Sequence, residues 1–206
     1  MNTGTALLVR TPRAVQTRPL VLAGAVVGLA LGAFAVGGYH IAAAVEVFMS
    51  QLGLFIVIPA ATGFLAARRR GAVLAATTVL VATCVLYYLP FASSVASYLT
   101  SALVWTVLSL VAGPFFGIAG HALRTDDRLG VLAASGLVGL LVGELARMTV
   151  KGLAQGDLDL LVLTLIFDAV SAAVLLAAVR PARRGDVALL AVPMAAVGYL
   201  VALALR

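Results

Sequence analysis

The sequence predicts an all-α fold: a polytopic transmembrane bundle of seven helices, with a cytoplasmic N-terminus and an external C-terminus. Three observations predict it. The first is composition. Of 206 residues, 63% are apolar or aromatic and only 11% are charged, where a soluble domain is about 45–50% apolar and about 25% charged. So few charges cannot cover a soluble surface, which excludes an ordinary soluble globule, a disordered chain and a disulfide-stapled secreted module. The second is a division into seven apolar runs, each near the roughly 20 residues that cross about 30 Å of hydrocarbon. The runs are continuous and rich in Leu and Ala, so membrane strands are not expected. The third is the placement of the basic residues between the runs. A net charge of +6 then reports topology rather than phosphate binding, and no nucleic-acid partner is expected.

In order, the first run spans Pro19 to Gly38. It is expected to be a retained transmembrane helix, although Ala33-Phe34-Ala35 has the small-residue pattern of a leader cleavage site. The second run ends at Ala67 and begins anywhere between Ile41 and Gln51. The third is Gly71 to Leu89, the fourth Ser97 to Leu123, and the fifth Leu129 to Met148. The sixth is Asp157 to Val179 and the seventh Asp186 to Leu205. The loops are short, so residues 19–206 form one membrane domain behind a basic cytoplasmic segment, residues 1–18.

Orientation follows from the arginines. Arg10, Arg13 and Arg18 precede the first run, and Arg68, Arg69 and Arg70 separate the second from the third. Arg124 and Arg128 lie between the fourth and fifth, and Arg180, Arg183 and Arg184 between the sixth and seventh. All eleven fall on one side, against Arg147, Lys151 and Arg206 on the other, so the first side is cytoplasmic. The bilayer expected is that of the bacterial plasma membrane.

Small residues four apart mark close helix packing. They are Gly24, Gly28 and Gly32 in the first run and Ser135, Gly139 and Gly143 in the fifth. Gly113 and Gly117, with Gly120 a turn on, mark the fourth. A ligand grazing the backbone, or dimerisation, would use the same pattern. Pro59, Pro114 and Pro193 lie mid-run and are expected to bend their helices. No internal repeat is evident, which argues against a transporter built from inverted halves.

Orientation also assigns each polar residue a depth. Asp126, Asp127 and Asp186 are cytoplasmic loop charges. The other five acids, Glu46, Glu144, Asp157, Asp159 and Asp168, lie in the outer half or near the midplane. Asp168 stands eleven residues into the sixth run and twelve before Arg180, near the bilayer centre, where a charged Asp costs about 2.5–3.5 kcal/mol. It should face the protein interior, be protonated, or both. Asp157, Thr164, Asp168 and Ser171 share one helical face, a polar stripe that serves either a site or a hydrogen bond to a neighbouring helix. Glu46 is a buried carboxyl if the second run begins near Ile41 and a surface one if it begins near Gln51. Glu144 is near the outer end of the fifth run, where Arg147 offers it an i, i+3 ion pair. Asp157 and Asp159 open a helix and offset its dipole.

The aromatic residues share this asymmetry. Tyr39, Tyr87, Tyr88, Tyr98 and Tyr199, the single Trp105 and His40 all belong to the outer half. An interfacial belt explains them, yet a belt should decorate both faces. The inner half of the runs holds only hydroxyls such as Thr62, Thr77, Thr78 and Ser109. The distribution suggests an outward-opening blind pocket walled by carboxyls and aromatics, rather than a through-pathway. The two histidines have no helical partner, so no metal is expected, and no nucleotide loop or other cofactor motif is visible.

Carboxyls in an apolar cavity can act as neutral proton donors, and aromatic faces stabilise cations. This suits protonation of an alkene or epoxide followed by carbocation cyclisation. It suits proton-coupled transport or lipid binding equally. The stretch Leu103-Val104-Trp105 through Gly113-Pro114-Phe115-Phe116-Gly117-Ile118-Ala119-Gly120, with Ala67-Arg68-Arg69-Arg70 and then Tyr87-Tyr88, resembles a family of small actinobacterial multi-span proteins of largely unknown function. In size and seven-span layout the chain is also similar to small membrane-bound terpene cyclases, the bacterial drimentine type among them. That resemblance implies a prenylated small-molecule substrate and an intramembrane acid pair, with Glu46 and Asp168 as the candidates. The expected site therefore comprises Asp168, Glu46 and Glu144 as acids. Tyr39, Tyr87, Tyr88, Trp105, Phe48 and Thr164 are expected to line the substrate path. Rival expectations are a small transporter or substrate-binding membrane subunit, and a structural membrane protein.

Overall fold

A computed structural model describes residues 16–41, 52–88, 96–125, 127–155 and 158–204. These form seven α-helices: α1 (Thr17–Ile41), α2 (Leu52–Leu65), α3 (Arg69–Tyr88), α4 (Ala96–Ala122), α5 (Arg128–Gln155), α6 (Leu158–Ala178) and α7 (Arg184–Ala204). A 3-10 turn, Pro181–Arg183, precedes α7. Each helix occupies one of the expected apolar runs. Three stretches are long and apolar enough to cross a membrane: Arg69–Tyr88, Leu99–Ala122 and Arg128–Ala154. Thr17–Ala33, Gly53–Leu65 and Thr164–Ala178 are shorter apolar helical stretches.

The glycines set helix order and direction. A methyl group at Gly24 would meet Ala75 and Val79, one at Gly28 would meet Val79 and Ala82, and one at Gly32 would meet Thr83 and Leu86. Positions rise together on both helices, so α1 and α3 run parallel. Gly139 faces Ala191 and Met194, while Gly143 faces Ala195, Gly198 and Tyr199, so α5 and α7 are also parallel. Gly63 lies on Gly117 and Gly120 on Ala60, which makes α2 and α4 antiparallel. Gly113 against Thr77 and Gly117 against Ala72 make α3 and α4 antiparallel as well. The small-residue spacings of α1, α4 and α5 are thus helix–helix seams within the chain, as packing without a hydrophobic drive demands.

The even-to-odd connections gather at one end. Thr17 packs on Gly71, and Arg124 Nη1 donates 2.7 Å to the Ala66 carbonyl between α2 and α3. Arg180 and Arg183 share a recess with Thr125 and Gly130. Arg184 Nε donates to the carbonyls of Leu176 and Val179, closing the last turn of α6. Asp127 caps α5: its Oδ1 accepts from the Thr125 hydroxyl at 2.7 Å and from the Gly130 N–H at 3.0 Å. Nine of the eleven arginines expected on one side are described, and all sit at this end.

The main core joins Ile56 and Ala60 of α2, Leu137 and Leu141 of α5, Leu175 of α6 and Val187 of α7. The outward faces are apolar: Val111 is 69% exposed, Leu189 75% and Val192 70%. Pro59, Pro114 and Pro193 lie inside helices that continue past them. One boundary differs from expectation. The fifth run was expected to end at Met148, but α5 continues to Gln155. No proline interrupts the added turns, and the Thr149 hydroxyl donates back to the Leu145 carbonyl at 2.8 Å. The described part of α2 begins at Leu52, and residues 42–51, with Glu46 and Phe48, lie outside the described residues.

Candidate functional site

Asp168 is placed by α6, on the face it shares with Thr164 and Ser171. All three are buried, at 2%, 0% and 6% exposure. The apolar positions Leu165, Ile166 and Val170 of the same helix point outward. The expected polar stripe therefore faces the protein interior; Asp157, its fourth member, lies outside the described residues. Neither carboxylate oxygen of Asp168 has a hydrogen-bond partner among the described residues. A methyl group at Gly53 of α2 would lie 2.7 Å from Asp168 Oδ1 and 2.7 Å from Cε1 of Phe167. The carboxyl is thus pressed against bare helix backbone, beside an aromatic ring.

Glu144 comes from α5 and is 2% exposed. Because α5 runs on to Gln155, Glu144 stands eleven residues, about three turns, before its end. The i, i+3 pairing with Arg147 is present: Arg147 Nε donates to Oε2 at 2.9 Å and Nη2 to Oε1 at 2.7 Å. Arg147 Nη2 also reaches Met148 Sδ at 3.2 Å. α5 and α6 pack side by side. Of the acids expected in the outer half, Asp159 lies in the first turn of α6, Glu144 is bound by a guanidinium, and Asp168 has no hydrogen-bond partner among the described residues.

Tyr87 of α3 packs in one apolar cluster with Leu54, Phe55 and Ile58 of α2 and with Phe167. It lies edge-on to Tyr88, with ring centroids 4.8 Å apart and planes at 87°. Trp105 stands on α4. Its carbonyl accepts from the Ser109 hydroxyl at 2.7 Å, and Ser109 meets Cys84 Sγ at 3.2 Å. Trp105 thus belongs to the α3–α4 seam and Tyr87 to the cluster that contains Phe167. Tyr39 lies in the last turn of α1. An apolar recess lined by Leu31, Leu54, Phe55, Pro59, Leu80 and Thr83, among others, adjoins the Tyr87 cluster. Its free volume is about 10 Å³, the space of one water molecule. No group of three metal-ligating side chains occurs among the described residues.

Two contributors escaped the sequence: neither Gly53 nor Phe167 carries a signal that sets it apart from the other residues of the apolar runs.

The chain matches the model of a family of unknown function (DUF6518) over residues 11–206, and it belongs to that family. No curated protein and no solved structure matches it.

Proposed function

We propose that this DUF6518-family chain is an integral membrane protein of the bacterial plasma membrane, with its arginine-rich end in the cytoplasm. The bundle is apolar outside and carries its buried polar groups inside, and that arrangement suits lipid as solvent. The N-terminus then lies in the cytoplasm and the C-terminus outside.

Within that frame we assign the chain a proton-initiated cyclisation of a prenylated small molecule. One observation carries the assignment: Asp168 is a buried carboxyl whose two oxygens have no partner among the described residues. Such a group is stable as the neutral acid and has a proton to give. In the proposed step the Asp168 hydroxyl protonates a terminal alkene or epoxide of the substrate. The alkenes of the chain then close on the resulting cation, forming carbon–carbon bonds. Loss of a proton to a second carboxyl, Glu46, ends the sequence, and that proton returns to Asp168 before the next turnover. The net change is an isomerisation, and no cofactor is consumed. Tyr87, in the Phe167 cluster, offers its ring face to the cation, with Tyr88 and Thr164 as further lining.

The test is cyclisation of farnesylated indole-type substrates by membranes carrying the wild type, Asp168→Asn or Glu46→Gln. Full activity in both variants overturns the assignment. A second reading, a small proton-coupled transporter, is favoured by the free volume of about 10 Å³ beside the cluster, which suits a proton better than a prenyl chain. It predicts proton-driven uptake into vesicles and no altered product.

A further inference from the structure

α6 meets α2 at Gly53. A β-carbon there would lie 2.7 Å from Asp168 Oδ1 and 2.7 Å from Phe167 Cε1, whereas non-bonded carbons pack at about 3.5–4.0 Å. The carboxyl and the ring edge together fill the room a side chain at residue 53 would take. Gly53 is itself buried. Asp168 is 2% exposed, and neither of its oxygens has a hydrogen-bond partner among the described residues. The carboxyl is thus held by contact rather than by donors, in a notch that exists because residue 53 has no side chain.

This notch differs from the glycine seams of the bundle. The atoms nearest a methyl at Gly63 or Gly120 are backbone atoms of Gly117 and Ala60, so those glycines let two helices approach. The nearest atoms at Gly53 belong instead to the side chains of two consecutive residues, Phe167 and Asp168. A methyl there would displace a carboxyl and a ring, which can turn aside, and not a helix backbone. What Gly53 fixes is the place of the carboxyl.

The notch also decides what the carboxyl can do. A side chain bearing a donor at residue 53 would offer a hydrogen bond to the carboxylate and favour the charged form. Glycine offers none, and no described residue of α2 is titratable. A buried carboxyl without donors is stable as the neutral acid. We propose that Gly53 is a positioning residue of the Asp168 acid: its missing side chain seats the carboxyl beside Phe167, in the cluster that holds Tyr87, and brings no donor to hold the charged form. The inference rests on Asp168 as the acid of the reading above and not on the identity of the substrate.

The experiment is infrared difference spectroscopy of the full chain in phosphatidylglycerol–phosphatidylethanolamine vesicles at neutral pH. Subtracting Asp168→Asn from wild type isolates the Asp168 carboxyl. The same subtraction is made in a Gly53→Ala background and in a Gly136→Ala background, where the added methyl meets nothing within 4 Å. The expected result is the carbonyl stretch of a protonated acid that shifts in frequency with Gly53→Ala and stays in place with Gly136→Ala. Should Gly53→Ala fail to insert, Gly53→Ala/Phe167→Leu measured against Phe167→Leu carries the test, because it removes the ring and leaves the carboxyl in the path of the methyl. An unmoved stretch with Gly53→Ala, an equal shift with Gly136→Ala, or an ionised carboxylate in the wild type overturns the proposal. A glycine that served only helix approach would lower the thermal midpoint on substitution and leave the frequency alone. If the stretch shifts as expected while no substrate is cyclised, the positioning role stands and the cyclase reading falls.

Discussion

Asp127 and Asp168 are the same side chain given opposite tasks by their surroundings. Asp127 is exposed at the start of α5, where the Thr125 hydroxyl and then the Gly130 N–H hold its carboxyl below the usual range. A depressed folded value means that its contribution to stability is present above the ordinary carboxylate range. It is lost as pH falls through the folded value. Thr125→Val removes the first of these donors, so acid unfolding in detergent should begin at a higher pH than in wild type. An unchanged acid limb would show that the hydroxyl contributes nothing. Asp168 has no such donors. That it faces inward was legible from its spacing with Thr164 and Ser171, since one helical face holds all three. That its oxygens rest on Gly53 was not legible, because α2 approaches α6 from more than a hundred positions away in the chain. The ion pair of Glu144 could be read from an i, i+3 spacing, whereas the length of helix beyond it could not. A helix with no proline or cap to stop it simply ran seven residues past the expected Met148.

At the scale of elements, the glycine seams are the sharpest structural commitment. The Gly120 Cα sits on the Ala60 carbonyl, and a methyl at Gly28 would lie 2.5 Å from the Val79 carbonyl oxygen. Backbone atoms cannot move aside as a flexible side chain can. Gly120→Ala and Gly28→Ala should each destabilise the bundle by about 1–3 kcal/mol, the usual cost of overpacking. Gly136 has nothing within 4 Å of the same position. Gly136→Ala should therefore be neutral or slightly stabilising, as relief of glycine's backbone freedom predicts. Thermal unfolding of the three variants in one detergent checks this, and equal losses in all of them would contradict the seam assignment. The four-residue spacing alone identified which helices carry seams. It could not say which helix each would meet, and the pairing of α1 with α3 and of α5 with α7 skips over the intervening element in each case.

For the whole molecule, alternating helix direction brings the described arginines of the N-terminal and even-to-odd connections to one end. With that end in the cytoplasm, a cysteine at Gly185 should be modified only from the cytoplasmic side of intact cells. One at Lys151 should be modified only from outside, in a chain whose buried Cys84 has been replaced by Ala. The reverse pattern would invert the proposed topology. This arrangement was legible because charge is scarce and its placement is governed by insertion. The chemistry was less legible, since a site in a membrane bundle is built where helices meet, and the sequence states what each helix carries but not what it touches. Asp168 is proposed to supply the proton for a cyclisation within the membrane. The most direct measurement compares product formation from a farnesylated indole in membranes carrying wild type and Asp168→Asn at equal protein levels. A positioned general acid contributes about 10²–10⁴-fold, so the variant should lose at least about a hundredfold of the rate while still inserting and folding. Undiminished product from Asp168→Asn would contradict that role.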